Sequence, residues 1–376
     1  MLNSKRLIKE FETLVHFDCE SYHEKEIGKY LVKKFQELGL EVIVDDAPKK
    51  LAEKNNVDTS ESHGNIYAFL KGNCDTKEPL FLNGHMDTVK PGIHKVPVIH
   101  EDGCITSDGT TVLGADDAAA VAEMIELLTI IQEDKLEHGD IEIIIAACEE
   151  PFCQGASVFD YSLIKSKTGY TLDLAGKIGG AAISAPTILS FTITVHGKSA
   201  HAGFAPEEGI HALKASANAI SDIQMGHIDD NTVVNIGTIQ GGIQRNSVPD
   251  CVVMTGEIRS LIHERAYEEW NKIQNTFEKS CSEINASVDF ECTEEVKAYS
   301  IKENSTVVKR YTDACKKLGI EVTLSSTFGG SDNHHYTNNG IEGIVIANAM
   351  NACHTTSEYT SIQDMTSVVN ILLEML

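Results

Sequence analysis

Five short stretches of this chain set histidine and carboxylate side chains at spacings that could hold metal ions. The first is Asn83-Gly84-His85-Met86-Asp87-Thr88. Residues two apart in an extended backbone lie on one side, so His85 and Asp87 face the same way. A histidine that binds a metal through one nitrogen needs its other N–H held, usually by a carboxylate. The second stretch, Gly114-Ala115-Asp116-Asp117, stands directly ahead of a helical pattern. The helix dipole favours a carboxylate there whatever its purpose, so one aspartate can cap while the other bridges two cations. The third, Cys148-Glu149-Glu150, ends the most apolar strand-like run. Adjacent glutamates at the mouth of a buried strand are costly without a cation or partner, and they point opposite ways. The fourth is Asp173 in Thr171-Leu172-Asp173, and the fifth is Cys353-His354-Thr355-Thr356-Ser357-Glu358.

Together these donors suffice for two zinc ions. His85, Asp116 and Asp173 could hold one, and Glu150, His354 and the other oxygen of Asp116 the second. Three protein ligands per ion leave room for a shared water, the arrangement of a catalytic rather than a structural site. Glu149 is then free to take the proton from that water and pass it to a leaving amine. Each piece alone also has an ordinary reading as a cap, a solvated turn or a core histidine. Other motifs fail. The HGKS at His196–Ser199 lacks the upstream glycine of a phosphate loop, whose place Thr192 takes. His23-Glu24 and His263-Glu264 lack the second histidine of a zincin helix, and no G-x-S-x-G elbow exists.

The elements that must position these residues follow from the hydrophobic pattern. A helix capped by Ser21 is expected through about residue 38, with Gly39 as its stop. Strands are expected over 40–44, 65–70, 80–83, 141–147 and 170–173, with a helix over 117–132. Helices alternating with apolar strands define an α/β sheet covered on both faces. The pattern changes after residue 187: strand 189–196, helix 209–222, strands 232–239 and 251–260, helix 263–285 and strand 286–292. That βαββαβ order is a ferredoxin-like unit. Alternation resumes with helix 303–318, a Gly329–Gly330 turn, strand 343–347 and a last helix from Ser361. The expectation is an α/β catalytic domain, 1–186 and 298–376, interrupted by a module at 187–297.

Composition narrows the function. A chain of 376 residues exceeds the size at which one core stops growing, so two domains are expected. Lys plus Arg is 31 against 56 Asp plus Glu, a formal charge of 31 − 56 = −25. Such a surface repels phosphate backbones and anionic lipid, so neither nucleic acid nor membrane is an expected partner. The N-terminal apolar residues are broken by charges and lack a cleavage site, unlike a signal peptide. Ten cysteines are scattered singly, as reduced thiols in a cytoplasmic protein would be.

The chain resembles the di-zinc metallopeptidases that include peptidase T, carboxypeptidase G and the aminoacylases, and within them the peptidase T-like branch. The matching pieces are Gly84-His85-Met86-Asp87-Thr88-Val89, Asp108-Gly109-Thr110, Leu113-Gly114-Ala115-Asp116-Asp117, Glu149-Glu150, Asp173, Gly197-Lys198-Ser199-Ala200-His201-Ala202-Gly203 and His354. They span nearly the whole chain in the family's order. The resemblance implies a zinc-exopeptidase-like α/β/α catalytic domain with the inserted module as its lid. It also implies the metal ligands proposed above, Asp87 orienting His85, Glu149 as general base, and a cis peptide between Asp116 and Asp117. On the lid, His201 matches the residue that stabilises the oxyanion, Arg259 one that binds a substrate carboxylate, and Asn246 a polar contact.

Aspartate at position 173 is what the family's tripeptidases, dipeptidases and aminoacylases carry, where several carboxypeptidases carry glutamate. The paired His334 and His335 map to no family pattern; they could line a specificity pocket or stand exposed on a helix. The implied activity is a zinc-dependent aminopeptidase acting on tripeptides or similarly short peptides, with cobalt or manganese as substitute metals. A carboxypeptidase or an N-acyl-amino-acid amidohydrolase on the same scaffold is the alternative. A homodimer through the lid, with His201 acting in its own subunit or in the partner, stays open.

Overall fold

The structure, a computed structural model, describes residues 2–376. The chain divides into two units. One comprises residues up to Ser184 with Ser300–Thr327 and Ser331–Leu376, the other Ala185–Tyr299 with Phe328–Gly330. The limits 185 and 299 differ from the expected 187 and 297 by two residues each, and the short segment 328–330 joins the second unit unexpectedly.

The first unit is built on a mixed sheet with a parallel centre. Leu80–His85 pairs in parallel with Ile141–Ala146 on one side and Thr168–Leu174 on the other, and Glu342–Ala347 extends the parallel run. Every residue of Leu80–His85 and Ile141–Ala146 is buried, as strands covered on both faces must be. Ile66–Leu70 and Glu41–Val44 continue antiparallel beyond Ile141–Ala146. Gly180–Ala185 follows Glu342–Ala347 on the other side, with Thr323–Ser326 pairing on it.

Helix Ala115–Asp134 packs on Leu80–His85 and Thr168–Leu174 and is apolar on nearly every side, which fits its burial. Ser4–Val15 lies against it, and Arg6 Nε meets Glu126 Oε2 at 2.6 Å. Three short strands that the hydrophobic pattern does not announce, Pro97–Ile99, Cys104–Ser107 and Tyr359–Ser361, form a small separate sheet. The first expected helix begins later than its sequence signal, at Lys25, and ends at Glu37. Ser21 caps nothing; its hydroxyl donates to Asp87 Oδ2 at 2.7 Å.

The second unit is a five-stranded antiparallel sheet ordered Gly226–Asp229, Thr232–Gly241, Cys251–Ser260, Thr187–His196, Ser287–Val296. Helices Ala212–Asp222 and His263–Ser282 pack on the sheet and on each other. Alternate residues of Thr187–His196 are buried, so one face carries the core and the other is more open. Leu189, Phe191, Ile193 and Val195 meet Trp270, Ile273 and Phe277 there, with the Phe191 and Trp270 rings stacked at 5.0 Å. The βαββαβ order holds with one addition, the short exposed edge strand Gly226–Asp229.

Candidate metal centre

The parallel strands bring the candidate ligands to their carboxyl ends, the usual place for a site in an open α/β sheet. His85 is the last residue of its strand, Glu149 and Glu150 follow Ile141–Ala146, and Asp173 sits near the end of Thr168–Leu174. His354 lies in the segment after Glu342–Ala347. Asp116 stands at the front of its helix with φ −82° and ψ 96°, outside the helical region, and the Asp116–Asp117 peptide is cis.

Asp116 is the centre of the arrangement. Its Oδ1 lies 3.0 Å from His85 Nε2, and its Oδ2 lies 3.2 Å from His354 Nε2. His354 Nε2 is also 3.0 Å from Glu150 Oε2. One carboxylate thus offers one oxygen to each imidazole. Donor atoms of His85, Asp116 and Glu150 lie within 4.8 Å of one another, and so do those of His85, Glu149 and Asp173. The expected ligands of the first unit and Glu149 therefore converge.

Asp87 ties the centre together. Its Oδ1 accepts from the Glu149 N–H at 2.9 Å and its Oδ2 from the Glu150 N–H at 3.2 Å. His85 Nδ1 is 3.4 Å from Asp87 Oδ1 and nearer, 3.0 Å, to the Asp87 carbonyl oxygen. The orienting contact expected of the Asp87 side chain is thus shared with its own backbone.

Several supporting contacts join residues that the sequence does not pair. Asp117 Oδ2 accepts from the His85 N–H at 3.0 Å, and its Oδ1 accepts from Asn348 Nδ2 at 2.6 Å. Glu358 takes the N–H groups of Gly114 and Asp116 on its two oxygens, at 2.7 and 2.9 Å. Glu24 Oε1 accepts from the Cys148 N–H at 3.2 Å and lies 3.0 Å from its thiol. Glu358 stands four residues after His354, so His-x-x-x-Glu was the one signal available; the others are joined only by the fold.

The electrostatics follow from the crowding of carboxylates around two imidazoles. Burial opposes charge on His85, yet Asp116 and Asp87 outweigh it and hold its pKa well above the usual histidine range. Asp116 and Glu150 push His354 up to about 11. Burial drives Asp173, Glu149 and Glu150 upward, and holds Glu358 at about 7. The ring of carboxylates therefore favours positive charge at both imidazoles. Glu150 Oε1 is buried with no hydrogen-bond partner. Imidazole nitrogens and carboxylate oxygens gathered this way are the donor set of a divalent metal, so the residues fit one.

In the second unit, His201 and Asn246 lie on adjoining exposed segments, joined by the Ala202 N–H to the Asn246 carbonyl at 3.0 Å. His201 Nδ1 accepts from the Gly203 N–H at 3.1 Å, and its ring lies 4.4 Å from that of Phe204. The guanidinium of Arg259 is gripped by both oxygens of Glu257 at 2.9 Å, and its Nη1 donates to the Phe328 carbonyl at 2.8 Å. Neither histidine of the pair 334–335 is exposed. His334 is fully buried with Nδ1 2.9 Å from the Ser331 carbonyl, and burial lowers His335 to about 4.

Known proteins resemble this chain in sequence and fold. A family described as the peptidase dimerisation domain matches residues 183–285. The uncharacterised protein YqjE of Bacillus subtilis is 36% identical over 99% of this chain and 98% of its own length. The crystal structure of the aminopeptidase PepT from Bacillus cereus superposes with a TM-score of 0.90 at 36% identity, covering 100% of this chain and 98% of that one. A tripeptidase structure from Staphylococcus aureus gives a TM-score of 0.94 at 32% identity over 100% and 98%. The fold and the site define a peptidase, a hydrolase of peptide bonds. The chain belongs to the M20 peptidase family, as the resemblance of its motifs to the peptidase T-like branch implied.

Proposed function

We propose that this chain is a di-zinc aminopeptidase that removes the N-terminal residue from tripeptides and similarly short peptides. The observation that carries this reading is Asp116 presenting one oxygen to His85 and the other to His354. His85, Asp116 and Asp173 would hold one ion, and Asp116, Glu150 and His354 the other, with cobalt or manganese as substitutes. Two such ions, when bound, would acidify a water and polarise the scissile carbonyl.

The chain's own residues do the rest. Glu149 takes the proton from the attacking water on its carboxylate and delivers it to the departing amine nitrogen. Its backbone N–H is fixed by Asp87, which also holds His85. His201 donates to the oxyanion, Arg259 binds a substrate carboxylate, and Asn246 makes a polar contact to the substrate. Because Glu257 already occupies the Arg259 fork, a substrate carboxylate must compete for it. In this reading residues 1–186 and 298–376 are the catalytic domain and 187–297 the lid. The match of residues 183–285 to a dimerisation domain supports a homodimer formed through that lid. Among the described residues no helix is long and apolar enough to cross a membrane. We place the enzyme in the cytoplasm, where thiols such as its ten free cysteines persist.

The experiment is product analysis by mass spectrometry on zinc-loaded protein. One tripeptide is supplied free, N-acetylated and C-amidated, with Glu149→Gln as control. Loss of the N-terminal residue from the free and amidated forms alone is expected. Cleavage that tolerates the acetyl group but needs a free C-terminus means a carboxypeptidase, and release of acetate means an N-acyl-amino-acid amidohydrolase.

A further inference from the structure

A second group of donors adjoins the centre. Ligand atoms of Glu149, Cys153 and Asp332 lie within 4.8 Å of one another, and all three side chains are buried. Cys153 Sγ is 3.2 Å from Glu149 Oε1. Asp332 is 1% exposed, and its Oδ1 has no hydrogen-bond partner, while Oδ2 receives Asn83 Nδ2 at a long 3.3 Å. A buried carboxylate oxygen without a donor is costly, and a cation removes that cost.

We propose that Glu149, Cys153 and Asp332 form a third cation site, selective for thiophilic divalent ions and inhibitory when filled. Charge supports it. Asp87, Asp116, Asp117, Glu149, Glu150, Asp173 and Asp332 carry seven negative charges when ionised, and two divalent ions offset four, leaving 7 − 4 = 3. The Cys153 thiol, in contact with Glu149, is neutral while it keeps its proton and adds nothing to that excess. A third ion displaces the thiol proton to solvent and takes the thiolate and one oxygen of each carboxylate. The sulfur selects cadmium or excess zinc over magnesium, calcium or manganese. Inhibition follows because the ion occupies the carboxylate that must accept the water's proton. That half rests on the proposed role of Glu149; the binding half does not.

Cadmium is titrated into protein already carrying two zinc ions. Thiolate-to-cadmium charge-transfer absorption and the count of bound metal are followed, with peptide hydrolysis alongside. Cys251 and Cys292 are exposed and supply a background band, so the reading is wild type minus Cys153→Ser. The expected result is a third equivalent with a difference band, and hydrolysis falling in step with it. Asp332→Asn keeps the thiol and weakens uptake about 10–100-fold, which guards against a misfolded serine variant. Superimposable spectra for wild type and Cys153→Ser at saturating cadmium overturn the site. A difference band with undiminished hydrolysis overturns the inhibition. Absence of hydrolysis before cadmium is added counts against the aminopeptidase reading alone, and the difference band still decides the site.

Discussion

The two units hold their candidate residues in opposite ways. In the first, His85, Asp116 and Glu149 are buried at strand and helix ends, and their backbone N–H groups are held by the carboxylate side chains of Asp117, Glu358 and Asp87, distant in sequence. In the second, His201 and Asn246 sit on exposed segments held by a few backbone hydrogen bonds. Chemistry that must gather like charges needs a rigid, over-determined frame. A group that meets the substrate only during turnover is better carried on a surface segment free to adjust.

If that contrast is right, damage to the first unit acts through metal and base, and damage to the second through turnover alone. The largest effect is expected from chelation, which abolishes hydrolysis until zinc is returned; full activity in metal-free protein would break the comparison at its root. Glu149→Gln keeps both ions by elemental analysis while kcat falls by about 10²–10⁴-fold. His201→Ala is expected to lower kcat by about 10²–10³-fold with metal content untouched, and a loss of metal in this variant would erase the distinction between the units. Glu358→Gln sharpens the same line from the other side. Its carboxylate steadies the Asp116 backbone without reaching the donor atoms, so metal affinity measured by competition with a chelator should weaken by about 10–100-fold.

The smallest effect concerns stability. Glu123 is fully buried in helix Ala115–Asp134, with neither carboxylate oxygen hydrogen-bonded. Burial raises its pKa well above 4.5, so the folded protein keeps a proton there that the unfolded chain has lost. Its contribution is fully present below the ordinary glutamate value and is lost as the pH climbs towards the raised one. Glu123→Gln should therefore raise Tm at pH 8 by about 2–4 °C and leave it nearly unchanged at pH 4. Equal shifts at both pH values would show that the carboxyl is not the cause.

What the sequence made legible was whatever local pattern encodes. The apolar runs located Leu80–His85 and Ile141–Ala146, and the polar residues ending those runs were the candidate metal donors. Thr187–His196 and its neighbours announced their sheet through alternation. Ser21 misled because a serine before a helical pattern reads as a cap, while its real partner, Asp87, is 66 positions away. Asp117 with Asn348 and Glu358 with Asp116 stayed hidden for the same reason, being 231 and 242 positions apart. The strand Gly226–Asp229 was missed because its four residues, Gly-His-Ile-Asp, carry neither alternation nor β-branched density.

The entry strand of the second unit, Thr187–His196, and its exit strand, Ser287–Val296, are antiparallel neighbours, with Ile188 opposite Val296. An inserted segment whose two ends meet side by side asks the host chain to leave and return at almost one point. Loop-closure entropy for the host is then small and nearly independent of what is inserted. Such a junction makes the module exchangeable: a short linker could bridge it, or a different module could be grafted there, without stretching the sheet that carries the candidate metal ligands.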